Sequence, residues 1–163
     1  MRIYDGSPRQ DWEEVLRSIG AYADREVLKE LLLLELDGGF ILQGLALPES
    51  GMWSESSGSL AKRTYELTDE QIAQLIEEAT ALRGTAASDT PQTEIGNFQE
   101  QAMRVIGAYL DKHLPRDVFL FEQEGAFVLR LLMVGSGGSF GHQLLEFTRD
   151  DILGMINEAP TQR

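Results

Sequence analysis

The stretch Gly135-Ser136-Gly137-Gly138-Ser139-Phe140-Gly141-His142 gathers the residue types that most readily hold a ligand. Glycine-rich backbone can aim several N–H groups at a phosphate, and a neighbouring histidine can carry a proton. Gly135, Gly137, Gly138 and His142 are therefore the candidate ligand-loop residues. The run lacks a following Gly-Lys-Ser/Thr and leads into strand-forming residues instead of a helix, so a plain hairpin loop is the competing expectation. His142 and Glu146 are four apart, which on a strand puts both on one face and would let them share a metal ion. Neither His142 nor the other histidine, His113, has a histidine counterpart in the internal repeat, where His113 falls opposite Glu26. Ser59, Ser136 or Ser139 could act as a nucleophile with His142, but no nucleophile-elbow sequence surrounds any of them. Glu35 and Glu122 sit in similar leucine- and phenylalanine-rich segments. A close carboxylate pair would raise one pKa and could serve acid–base chemistry. Alternation along a strand makes a solvent-facing position the simpler expectation for both. No catalytic, cofactor or metal-binding set emerges from these residues. The last candidate is Trp53, beside Met52 in Gly- and Ser-rich surroundings. It either anchors a partner or folds back over an apolar strand.

Composition narrows the classes further. The chain has 163 residues with 14 basic and 27 acidic side chains, a net charge of -13. Both halves are acidic. Such a surface repels phosphate backbones and argues against direct nucleic-acid binding, while suiting solubility or a basic partner. With no cysteine, disulfides, zinc–thiolate sites and thiol catalysis are excluded. The N-terminal residues have no apolar signal-like core, and Leu31 to Leu34 is far too short a run to cross a bilayer. A cytoplasmic location without membrane contact is the default expectation.

The elements that would position these residues follow from an internal repeat. Ile-Gly-Ala-Tyr occurs at 19–22 and again at 106–109. At that offset, residues 12–47 pair with 99–134 and thirteen of 36 pairs are identical, against roughly two or three from ordinary composition. Arg17/Arg104, Asp24/Asp111, Glu35/Glu122 and Gly38/Gly125 are among them. A second block pairs 65–79 with 145–159, so the loop before it is longer in the first copy. The expectation is an α+β protein made by tandem duplication of an α-β-β-β-α unit. Unit 1 is 1–83, a linker is 84–96 and unit 2 is 97–163. Each unit is too small for much core of its own, so the two should pack as one pseudo-twofold pseudo-dimer. The antiparallel sheets should carry helices on one face and could merge into one six-stranded sheet.

Within each unit the signals are local. Ser7-Pro8-Arg9-Gln10 and Asn97 with Glu100 resemble helix caps. Residues 26–36 could be helical by propensity, but Pro115 in the matching segment and the run Val118-Phe119-Leu120-Phe121 favour strands at 30–36 and 117–123. Asp37-Gly38-Gly39 and Glu124-Gly125-Ala126 read as tight turns. The return strands 40–47 and 127–134 are apolar at nearly every position, which suggests burial on both faces or a second contact surface. Third strands run through 63–67 and 143–147. Thr68 with Gln71 and Thr148 with Asp151 cap the closing helices. Tyr22 and Tyr109 should pack at the core edge, and Arg17, Arg104, Asp24 and Asp111 should make polar contacts near the first helix of each unit.

The order helix, three strands, helix in a small acidic protein resembles the type III secretion chaperone-like fold. The resemblance implies a non-catalytic protein that holds extended peptide segments. The duplication departs from that family, where two subunits usually form the dimer. The expected function is accordingly a non-catalytic protein- or peptide-binding adaptor, chaperone-like, acting as monomer or homodimer. The alternative is a small-molecule binder or enzyme with its site at the pseudo-twofold interface near 135–142. An acidic mimic of nucleic acid would need its charges on one face, whereas the acids are spread along the chain.

Overall fold

The computed structural model describes residues 11–36, 39–46, 61–85, 97–134 and 140–158. The elements in chain order are α1 (Trp12–Arg25), β1 (Lys29–Leu36), β2 (Gly39–Ala46), β3 (Ala61–Thr68), α2 (Asp69–Thr85), α3 (Phe98–His113), β4 (Asp117–Gln123), β5 (Ala126–Val134), β6 (Phe140–Phe147) and α4 (Arg149–Glu158). The fold is α+β. Six antiparallel strands form one sheet in the order β3-β2-β1-β4-β5-β6, and the helices pack on it. The two meanders merge where β1 meets β4, with Leu33 opposite Leu120 between the pairs Leu32–Phe121 and Leu34–Phe119.

Local chemistry explains the element ends. Val27 and Glu30 take φ of 54° and 52°, which interrupts the helix-prone run 26–36 and delivers it as strand. Leu114 is left-handed at the end of α3, and Pro115 cannot continue the helix. Glu124 and Gly125, with φ of 53° and 85°, close the β4–β5 hairpin as a two-residue turn of matching twist. Both expected capping boxes form. The Thr68 hydroxyl accepts from the Gln71 amide at 3.2 Å, and the Gln71 side chain accepts from the Thr68 amide at 2.9 Å. Thr148 and Asp151 exchange the same two bonds at 3.1 and 2.9 Å.

Alternate strand residues are buried under the helices, among them Leu31, Leu33, Phe40, Leu42, Leu120 and Phe127. Trp12, Leu16 and Ile19 of α1 and Met103, Ile106 and Leu110 of α3 fill the other side of this core. The rings that join helix to strand meet edge-on at 5.8 Å (Trp12–Phe40), 5.2 Å (Tyr22–Tyr65) and 5.7 Å (Tyr109–Phe147). Each such contact adds about 1 kcal/mol to simple burial. Ile72 of α2 and Ile152 of α4 anchor the closing helices to the same core.

The first helices of the two halves, α1 and α3, lie antiparallel and very close. A Cβ on Gly20 would stand 2.4 Å from the Gln99 carbonyl oxygen, and one on Gly107 would stand 2.5 Å from that of Trp12. Only glycine permits this approach of backbone to backbone. The caps here correct the sequence reading. Ser7 to Gln10 lie outside the described residues, and the N-cap of α1 is Asp11, whose side chain makes no cap bond. Asn97 is the N-cap of α3 and its side chain makes none either. The carboxylates come from the opposite helix. Asp111 accepts from the Trp12 and Glu13 amides at 2.8 and 3.0 Å. Asp24 accepts from the Gln99 and Glu100 amides at 3.1 and 2.9 Å. An acid at a helix N-terminus satisfies free N–H groups and complements the helix dipole wherever in the chain it comes from.

The expected linker start at 84 falls within α2, which runs through Thr85. Residues 86–96, and Asp37-Gly38 of the first turn, lie outside the described residues.

Candidate functional site: the uncovered sheet face

Strand alternation leaves a second face, on which none of the described helices packs. Following the pairings across the sheet, one row runs Glu66, Ile41, Leu34, Phe119, Arg130, Leu144. The next runs Thr64, Gln43, Leu32, Phe121, Val128, Glu146. Both rows are apolar at their centre; the second ends on Thr64 and Glu146, and the first ends on Glu66 at one side and, beyond Arg130, on Leu144 at the other. Leu32, Leu34, Ile41, Phe119, Phe121 and Val128 are half-buried, while Leu36 is 43% and Leu144 72% exposed. The ring contacts between helices and strands all fall on the opposite face. The apolar return strands are thus buried on one side and only partly buried on the other. The Arg130 guanidinium lies 5.5 Å from the centre of the Phe119 ring, which tethers a cation at the β5 side of the apolar band.

The sequence candidates scatter. His142 is exposed on β6, opposite Leu132, at the margin of this face. It lines a shallow hollow of about 100 Å³ with Asp117, Phe119 and Arg130. Glu146 shares its face, as strand spacing requires. Gly135, Gly137, Gly138, Ser136 and Ser139 lie outside the described residues, as do Met52, Trp53 and Ser59. His113 is at the end of α3, where its Nδ1 is 2.8 Å from the Tyr109 carbonyl and its ring stacks on Tyr109 at 4.0 Å. Among the described residues no group of three or more His, Asp or Glu side chains could hold a metal ion.

The glutamate expectation needs correction. Glu122 is not solvent-facing: it is 4% exposed on the helix-covered face. Its carboxylate accepts from the Leu31 amide at 3.2 Å and from Gln99 Nε2 at 3.0 Å. The cause is the register shift in β1 between Lys29 and Leu32, which turns the Leu31 N–H out of the ladder. A buried amide needs an acceptor, and Glu122 supplies one from the neighbouring strand. Glu35 is half-buried on that same face, opposite Phe40.

Two further polar features belong to the helix side. Arg17 bonds Glu100 at 3.0 Å across the α1–α3 seam, and Arg104 bonds Gln101 at 2.9 Å within α3. Burial, and then the nearby Arg17, lowers the Arg104 pKa. A cleft of about 300 Å³ between α1 and α2 is lined by Tyr22, Asp24, Arg25, Leu75, Glu78 and Glu100, among others. Asp24 is its one strongly perturbed acid. Burial raises its pKa from 3.8 to about 6, against the lowering effect of its two amide bonds. A carboxyl near 6 suits a general base. Here both oxygens are committed to the Gln99 and Glu100 amides, so the group serves the helix end. The α1–α3 seam itself is closed by Gly20 and Gly107, and His142 lies on the other side of the sheet.

The residues that sequence reasoning missed are those of the uncovered face, above all Phe119, Arg130 and Leu144. The only signal was the unbroken apolar character of the return strands. No helix among the described residues is long and apolar enough to cross a membrane. Comparison with known proteins yields no matching family model, no matching curated protein and no matching solved structure.

Proposed function

We propose that this chain is a non-catalytic protein-binding module, an adaptor that receives a protein partner on the uncovered face of its sheet. The observation that carries this reading is the continuous apolar band from Ile41 through Leu34 to Phe119, only partly buried, continued by the exposed Leu144 and bordered by Glu66, Arg130 and Glu146. Contiguous exposed apolar surface with a polar rim is the physical mark of an interaction site. The rim carries both signs of charge, so it suits a partner of mixed charge better than a polyanion. The partner is a protein with an apolar surface or extended segment; nucleic acid and membrane are not proposed.

We also propose that the module arose by tandem duplication, with its halves related by a pseudo-twofold axis. In support, Gly20 and Gly107, Asp24 and Asp111, and Leu33 and Leu120 all share one offset, and each pair meets the other half in the matching way. The site then falls on the seam of the two halves, where β1 meets β4.

The test is affinity capture from the source lysate with quantitative mass spectrometry, comparing wild type with Leu34→Ser/Phe119→Ser. A partner held stoichiometrically by wild type and reduced at least about tenfold by the variant is expected. Equal capture by both would refute the face as the docking surface. Circular dichroism should show the variant still folded, with a lowered urea midpoint, because both side chains are partly buried.

A further inference from the structure

We propose that β6 is a self-association edge, on which two copies of the chain pair antiparallel about Leu144 and join their sheets into one. This goes beyond the adaptor reading and does not depend on it.

The two outer strands of the sheet are built differently. The β3 edge carries Lys62, Arg63 and Glu66, charges of the kind that keep an exposed edge from pairing. Over its whole length β6 carries no Lys, Arg or Asp and one Glu, Glu146. Leu144 is the most exposed of the large apolar side chains among the described residues, at 72%. Among the described residues no strand pairs with the outer edge of β6, and open backbone N–H and C=O groups beside an exposed leucine make a template for another strand.

The sequence of β6 is self-complementary in one register. With Leu144 facing Leu144 of the second copy, His142 faces Glu146 and Glu146 faces His142. The imidazole N–H can donate to the carboxylate in both places. Gly141 faces Phe147, whose ring can cover the space a side chain would fill, and a Cβ at Gly141 meets nothing within 4 Å in the single copy. No like charges oppose one another. Moving the centre by one residue to Gln143 or Leu145 sets both charged positions against Leu144, Phe140 or Thr148 and loses both imidazole–carboxylate pairs. The Leu144 register also keeps the uncovered faces of the two copies on the same side, doubling that surface. Cross-strand pairs of these kinds are individually weak, so the dimer is a reversible one.

Sedimentation velocity across a wide concentration range tests this. Wild type is expected to move from monomer to dimer. Leu144→Lys and His142→Glu should each weaken association about tenfold or more, and His142→Glu/Glu146→His should restore it. Thermal melts verify that each variant folds; these side chains are exposed. Because the chain has no cysteine, Leu144→Cys should form a covalent dimer on mild oxidation, as facing residues in an antiparallel ladder lie within disulfide reach. A wild type that stays monomeric throughout overturns the proposal. So does a dimer untouched by Leu144→Lys, or a double swap that fails to restore pairing.

Discussion

The two faces of this sheet are made from nearly the same residue types, yet they behave as different materials. One face presses Leu33, Phe40, Leu120 and Phe127 against helices whose own backbones nearly touch. The other leaves Leu34, Ile41, Phe119 and Phe121 only partly buried, with an arginine over a phenylalanine at the edge of the apolar band. Leucine or phenylalanine on a strand therefore says that a surface is apolar; which surface is covered depends on where the helices land. The covered face also tolerates a buried glutamate, because a freed backbone amide waits there for it. Burial on that side is governed by satisfied hydrogen bonds as much as by hydrophobicity.

The comparison breaks most visibly at the helix seam. Gly20→Ala or Gly107→Ala drives a methyl group into the backbone of the opposite helix, and no side-chain rotation relieves it. A loss of about 3 kcal/mol in urea unfolding is expected for either. A loss under about 0.5 kcal/mol would mean that the helices can part at little cost. The Leu34→Ser/Phe119→Ser variant is the counterpart on the uncovered face, where binding should suffer far more than folding.

The next effect lies at the buried carboxylate. Glu122→Leu leaves the Leu31 amide and Gln99 Nε2 without an acceptor, so about 2 kcal/mol should be lost. Glu122→Gln keeps one acceptor and should lose less. Equal losses for the two would show that volume, and not hydrogen bonding, explains the residue.

The smallest effect concerns pH. The Asp24 carboxyl has its pKa raised by burial from 3.8 to about 6 in the folded chain. The folded state thus binds this proton more tightly than the unfolded state does. The stability it contributes is full below about pH 4 and is lost as pH rises through about 6. Asp24→Asn should therefore flatten the change in urea midpoint between pH 4 and pH 7. A variant whose profile parallels wild type would show that Asp24 titrates as it does in the unfolded chain.

Much of the fold was legible because its causes are local. The capping boxes at Thr68 and Thr148 join residues three apart, the Glu124-Gly125 turn needs only positive φ, and Pro115 ends α3 by its own geometry. Strand against helix in 26–36 is decided by its matching segment, where Pro115 forbids a helix and both segments form strands. The site was far less legible. Trp53 and the glycines of 135–139 drew attention as unusual residues, whereas Leu34, Phe119 and Leu144 look like ordinary core positions. Nothing in a single strand tells which of its two faces a distant helix will cover.

By itself, the sequence determined the α+β class, the order of elements, the closing-helix caps and the absence of any thiol chemistry. All of these depend on composition or on contacts a few residues long. Tertiary structure alone decided that the meanders merge through Leu33 and Leu120, that Asp24 and Asp111 cap the opposite helices, that Glu122 is buried, and which apolar face stays open. Those outcomes join residues some 75 to 99 positions apart. Their partners are chosen by how closely two helices can approach and by which amides the β1 bulge sets free.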